Sequence, residues 1–189
     1  TTTTSGTTLL ATLSWTGTGC PAGGCTSDMD LHLDHYAATT TPTSLSTTDW
    51  FVDFTNDDPQ NVLPNDDFNT SVIYNADGDP IGGYEGNLDY DDTDGYGPEH
   101  LTVEQLPTGY YMLYVDPWSM DLDASATVTV TLKIGSNAYS FPTKIFTSST
   151  EAVHRVCDVR VEANGTVTIL PATTNVTIAA PAVRAPKVR

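Results

Sequence analysis

Apolar and polar residues alternate with a period of two along much of the chain, the spacing that sends successive side chains to opposite faces of a strand. Leu9, Leu13 and Trp15 share one face of a strand predicted over about 8–16. In SDMDLHLDH the alternation separates Met29, Leu31 and Leu33 from Asp28, Asp30, His32 and Asp34, which predicts a strand at 28–36. Trp50, Val52 and Phe54 alternate in WFVDF, and SVIYN at 71–75 reads as a further strand. HLTVEQL (100–106), GYYMLYVD (109–116) and ATVTVTLKI (126–134) alternate cleanly, as successive antiparallel strands with one buried and one wet face do. AYSFPTKIF, VHRVCDVRVE and TVTIL complete a set of roughly ten strands with no helix. Strands broken by turn signals every ~8–12 residues make a sandwich or a barrel.

The polar segments between these runs carry the candidate chemistry. Residues 85–103, EGNLDYDDTDGYGPEHLTV, gather Asp89, Asp91, Asp92, Asp94 and Glu99 on a stretch that Gly95, Gly97 and Pro98 turn. Carboxylates this dense repel, and need open water or a cation. Hard oxygen ligands on a turning loop suit calcium, which takes about six to eight oxygens. The segment has no EF-hand frame, so further ligands must come from elsewhere. The acidic face of the 28–34 strand can supply them. The candidate calcium ligands are Asp28, Asp30, Asp89, Asp91, Asp92, Asp94 and Glu99. The bland alternative is a solvated acidic loop. A second candidate cation site lies in NDDPQNVLPNDDFN, at Asp57, Asp58, Asp66 and Asp67, and ADGDPIGGY holds an Asp-Gly turn.

TLSWTG, SDMDLHL, GNLDYDDTDGYGPEHLTV, GYYMLYV and ATVTVTLKIG together resemble the YfaP-like family of secreted bacterial domains. There a tryptophan and a DLDLH strand precede an acidic GYGPE loop. More distantly they resemble pre-peptidase C-terminal domains. The resemblance covers roughly residues 9–170, and the GYGPE loop is its most specific portion. It implies an antiparallel β-sandwich of Greek-key or jelly-roll type, metal-binding and extracytoplasmic, without catalytic activity. The cysteine insert, the 37–83 segment and everything after about 171 depart from the family pattern.

Charge sharpens the picture. The net charge is −17, yet all seven basic residues lie after position 132, and 21 of the 24 acids lie before it. Nucleic acid is excluded as a partner, since its binding needs clustered cations. Two such molecules, each an acidic body with a mildly basic end, would attract head to tail. No apolar run is long enough to span a membrane as a helix. TTTTSG reads as the start of a mature chain after removal of an export signal.

Three cysteines suggest an oxidising compartment. Cys20 and Cys25 bracket PAGG, short enough to close a small disulfide. Cys157 is then left over, buried or paired between molecules, and its pairing with Cys20 or Cys25 stays open. Asn69, Asn164 and Asn175 head glycosylation sequons. Residues 171–189 carry no acids. There Val176, Ile178, Ala180 and Ala182 alternate as in a strand, and Val183, Arg184, Lys187 and Arg189 follow.

Catalysis has little support. No serine sits in a G-x-S-x-G turn, the four histidines have no motif context, and no carboxylate pair is singled out. His32 and His35 point to opposite faces of one strand. Exposed rings among Trp50, Tyr84, Tyr90, Tyr96, Tyr110, Tyr111, Tyr114 and Trp118 would form a sugar-stacking platform. The expectation is a Thr-rich lead (1–8), a β-sandwich (9–170) and an extended basic tail (171–189) that serves as donor strand. The function expected is a calcium-stabilised subunit of an extracellular filament or surface assembly, built from copies of itself by β-strand addition. The rival is a calcium-dependent adhesion or carbohydrate-binding module of a larger secreted protein, with surface glycans as partners.

Overall fold

A computed structural model describes residues 7–18, 27–36, 50–52, 86–88, 97–103, 106–120 and 124–172. Among them are eleven strands and no helix: β1 (Leu9–Thr18), β2 (Ser27–Tyr36), β3 (Trp50–Val52), β4 (Gly86–Leu88), β5 (Glu99–Val103), β6 (Gly109–Met120), β7 (Ser125–Ile134), β8 (Asn137–Ser140), β9 (Lys144–Phe146), β10 (His154–Val161) and β11 (Val167–Pro171). The first sheet runs β4-β5-β1-β7-β8, with β9 also on β7; the second runs β11-β10-β6-β2-β3. Every pairing is antiparallel. The all-β sandwich expected from the alternation is the fold.

The core forms where the two inner faces meet. β1 contributes Leu9, Ala11, Leu13 and Trp15, and β7 contributes Ala126, Val128, Val130, Leu132 and Ile134. Opposite them lie Met29, Leu31 and Leu33 of β2, Tyr111, Leu113 and Val115 of β6, and Val159 and Val161 of β10. On the outer face of the first sheet, Thr12 lies opposite Thr131, Ser14 opposite Thr129 and Thr16 opposite Thr127. Threonine suits a strand there because its methyl packs across the pair while its hydroxyl stays wet.

The second sheet departs from the expected pattern of one wet face. β2 is buried along its whole length, and β6 from Gly109 to Pro117. Tyr36, Tyr110, Met112, Tyr114 and Val153 make a second apolar cluster on its outer side. Register explains why polar residues are tolerated there. Tyr110 lies between Tyr36 and Arg160, Met112 between Asp34 and Asp158, and Tyr114 between His32 and Arg155. The polar groups thus meet each other. Alternation marked the two faces correctly, but polar identity alone does not make a face wet.

Several sequence expectations lie outside the described residues. These are the disulfide between Cys20 and Cys25, the strand at 71–75, the Asp-Gly turn, the second cation site, the sequons at Asn69 and Asn175, and the tail from 173 on. Cys157 is a free, buried thiol, so pairing with another cysteine does not apply to it. Burial and then the Asp158 carboxylate push that thiol up to about 12, which leaves it un-ionised and unreactive.

Candidate metal centre

The site begins with Trp15. Its indole lies on the inner face of β1, and its Nε1–H donates to the Ser27 carbonyl at 2.9 Å. Ser27 starts β2, immediately before Asp28. The other side of the same ring meets Gly97. A Cβ placed on that glycine would lie 2.8 Å from the ring, and its φ of +79° is one that side chains rarely adopt. Gly97 is joined to Pro98 by a cis bond, and Glu99 follows at the start of β5. One tryptophan therefore positions both acidic segments.

The two segments converge from different sheets. Glu99 pairs with Leu13 in the first sheet, and its Oε2 accepts the Leu31 main-chain N–H of the second at 2.9 Å. The β2–β6 register slips between Asp28 and Met29, a bulge that re-aims the neighbouring side chains. Asp28, Asp30 and Glu99 each place a carboxylate oxygen within 4.8 Å of the other two. They are 5%, 1% and 0% exposed.

Three carboxylates so close are costly while all are charged. At this separation each pair repels by on the order of 3–4 kcal/mol at an effective dielectric of ~20. A cation among them turns that repulsion into attraction. The donor set is all oxygen, with neither thiolate nor imidazole, which suits a hard cation of the calcium or magnesium kind. Oxygens on one calcium, at ~2.3–2.6 Å from it, lie up to ~4.6–5.2 Å apart across the ion. The observed span fits that limit.

Of the seven predicted ligands, the structure brings together Asp28, Asp30 and Glu99, while Asp89, Asp91, Asp92 and Asp94 lie outside the described residues. His32 is not in the group. It stacks on Tyr114 with ring centres 4.7 Å apart. His35 points the other way, edge-on to Tyr111 and with Nε2 3.2 Å from the Thr108 carbonyl oxygen. Of the aromatic residues considered for a sugar platform, Tyr110, Tyr111 and Tyr114 are buried within the second sheet and Trp118 is half-buried. Tyr84, Tyr90 and Tyr96 lie outside the described residues. Asn164 is exposed in the β10–β11 turn, where its Oδ1 accepts the Thr166 N–H at 2.9 Å.

A second polar group, not foreseen from sequence, lies on the outer side of the second sheet. Arg155 grips Asp158 through two parallel contacts, Nε to Oδ1 at 2.7 Å and Nη2 to Oδ2 at 2.5 Å. Burial raises the Asp158 carboxyl above its ordinary value despite that guanidinium. Tyr36 and Tyr114 donate their hydroxyls to the two oxygens of Asp34 at 3.1 and 3.4 Å. Burial, then the Asp34 charge, raises the Tyr36 hydroxyl far above its usual range, so it stays a donor. The signal for this group was Arg155 and Asp158 three apart in VHRVCDVRV, an apolar strand.

No protein-family model matches the chain, and no curated protein shows significant similarity to it. A solved structure described as "Crystal structure of unknown function protein SAV2460" shares 15% identity over 86% of both chains, with a TM-score of 0.49. That likeness assigns neither family nor function.

Proposed function

We propose that this chain is a calcium-stabilised structural domain that assembles with copies of itself outside the cytoplasm, in a filament or surface layer. The observation that carries the calcium reading is the convergence of Asp28, Asp30 and Glu99, buried, from two sheets onto one point. An ion there would tie β2 to β5 and fix the segment leading into Glu99. The YfaP-like resemblance supports the same reading, since its tryptophan, its acidic strand and its GPE segment are the parts that meet. No catalysis is assigned, because carboxylates this buried offer no face to a substrate.

Assembly is supported by the distribution of charge. An acid-free, alternating segment with three terminal cations follows β11, while the first 132 residues hold 21 acids and no cation. Donation of the segment around Val176, Ile178 and Ala180 to a neighbour's sheet edge would set its cations against an acidic surface. A heterologous contact of this kind does not close and so extends.

Sedimentation and negative-stain imaging of the full chain, and of a chain ending at Leu170, in calcium and in excess chelator, test both halves. Long particles that need the tail and weaken without calcium are expected. A monomer under every condition would overturn the assembly reading and leave a calcium-binding adhesion module.

A further inference from the structure

Two large apolar side chains are exposed among the described residues, Tyr139 at 36% and Ile145 at 55%. Both stand on one edge of the first sheet. β8 pairs with Thr131–Ile134 of β7, and β9 pairs with Ala126–Val128 of the same strand. They form one interrupted edge strand, with Pro142 between its halves. All four residues of β8 are exposed, and no strand among the described residues pairs with its outer side. Edge strands are commonly guarded by a lysine held out over the edge. Here Lys144 is drawn aside, its Nζ 2.8 Å from Glu151 and 4.8 Å from the centre of the Phe146 ring.

Charge selects the occupant. Residues 124–172 carry four cations and three acids, a net of +1, whereas residues 1–123 carry 21 acids and no cation. A molecule at −17 repels its own copies except where this near-neutral end meets the acidic body of another.

We propose that the β8–β9 edge, with Tyr139 and Ile145, is the docking surface for the acidic body of a second copy of this chain. The proposal rests on the assembly reading above and names one of its surfaces, a contact distinct from tail donation. Main-chain groups along the edge supply the pairing, and the two apolar side chains supply the buried contact. The edge meets a different surface of the next copy, a heterologous contact that repeats without closing.

The test uses the full chain, with sedimentation velocity and imaging at about 50 and about 500 mM salt. Ile145→Glu together with Tyr139→Glu is expected to raise the concentration needed for assembly by about tenfold or more, roughly 1.4 kcal/mol per tenfold. Ile145→Ser should give a smaller rise. Ser14→Glu, on an exposed position in the middle of the same sheet, should leave assembly unchanged. Both edge residues are exposed, so melting temperatures should hold, and high salt should weaken wild-type assembly. If wild type assembles and the edge variants assemble equally well, the edge proposal falls and the assembly reading survives. An equal loss with Ser14→Glu also overturns it, since net charge alone would then be at work. A monomeric wild type overturns both.

Discussion

β2 buries carboxylates in two places, and they are balanced in different ways. Toward its C-terminal end, Asp34 receives hydroxyls from Tyr36 and Tyr114, and nearby on the same outer side Asp158 is held by Arg155. Donors and countercharge there come from within the fold. Toward its N-terminal end, Asp28 and Asp30 meet Glu99, three carboxylates within 4.8 Å of one another. That corner draws on the one stretch of the chain without any lysine or arginine, residues 1–132. The first group completes itself as the chain folds. On the calcium reading proposed above, the second is completed by a bound cation, and a fold that must be firm only where calcium is abundant would be built this way.

The largest effect should come from the self-balanced group. Arg155→Met leaves Asp158 buried without its guanidinium, and should cost about 3–5 kcal/mol. Denaturant unfolding should show the same loss in calcium and in chelator. Loss of most of the calcium response along with it would mean that the two groups are one coupled network, and the contrast would fail. Next is Glu99→Gln, which keeps an acceptor for the Leu31 N–H but removes a charge. Calcium at about a hundred times its dissociation constant stabilises a single-site protein by ~2.7 kcal/mol. Wild type should therefore melt ~5–10 °C higher in calcium than in chelator. In Glu99→Gln that gap should vanish, and in chelator the variant should be at least as stable as wild type. Isothermal titration of both proteins with calcium reads the same loss directly.

Gly97→Ala tests how the corner is held together. The added Cβ meets the Trp15 ring, and the positive φ is unfavourable for alanine. A cost of about 1–3 kcal/mol is expected, the range for strained backbone. Because Glu99 follows two residues later, calcium affinity should fall as well, whereas Arg155 and Asp158 should be untouched. An unchanged affinity would mean that the loop is not what positions Glu99.

What the sequence made legible was what depends on local spacing. The alternation in β1, β2 and β7 placed inner and outer faces correctly, and the spacing in SDMDLHL put both aspartates on one side. That Asp28 and Asp30 would meet Glu99 could be proposed, because a crowded acidic turn needs ligands or a cation. The roles of Trp15 and Gly97 could not be read, since their contact joins strands that are distant in sequence. The wet face expected for 109–116 failed for a related reason. Tyr110, Met112 and Tyr114 look amphipathic in isolation, and only the register against Asp34 and Arg155 shows them enclosed. An ion pair in the middle of an apolar strand is a signal of burial, and VHRVCDVRV carried it.

The smallest effect provides the background for the calcium comparison. Hydrogen bonds, first from Lys144 and then from the Thr147 N–H, lower Glu151 from 4.5 to about 2. A lowered carboxyl favours the folded state above its unfolded value and loses that contribution as pH falls from about 4.5 toward 2. Burial, then Lys144, lowers His154 below 6.5, so the unfolded chain takes up the proton first and stability also falls as pH drops below that value. Glu151 lies near the surface, so its share should be under ~1 kcal/mol. Neither group touches the acidic corner, and both should act equally in calcium and in chelator. Subtracting the chelator curve of stability against pH from the calcium curve should therefore remove them. It leaves the competition between protons and calcium for Asp28, Asp30 and Glu99. Glu151→Gln should flatten both curves alike between about 4.5 and 2 and leave their difference unchanged. If the difference itself moves, the calcium-dependent part of the fold reaches to β9, and the corner is not the separate, ion-governed unit proposed above.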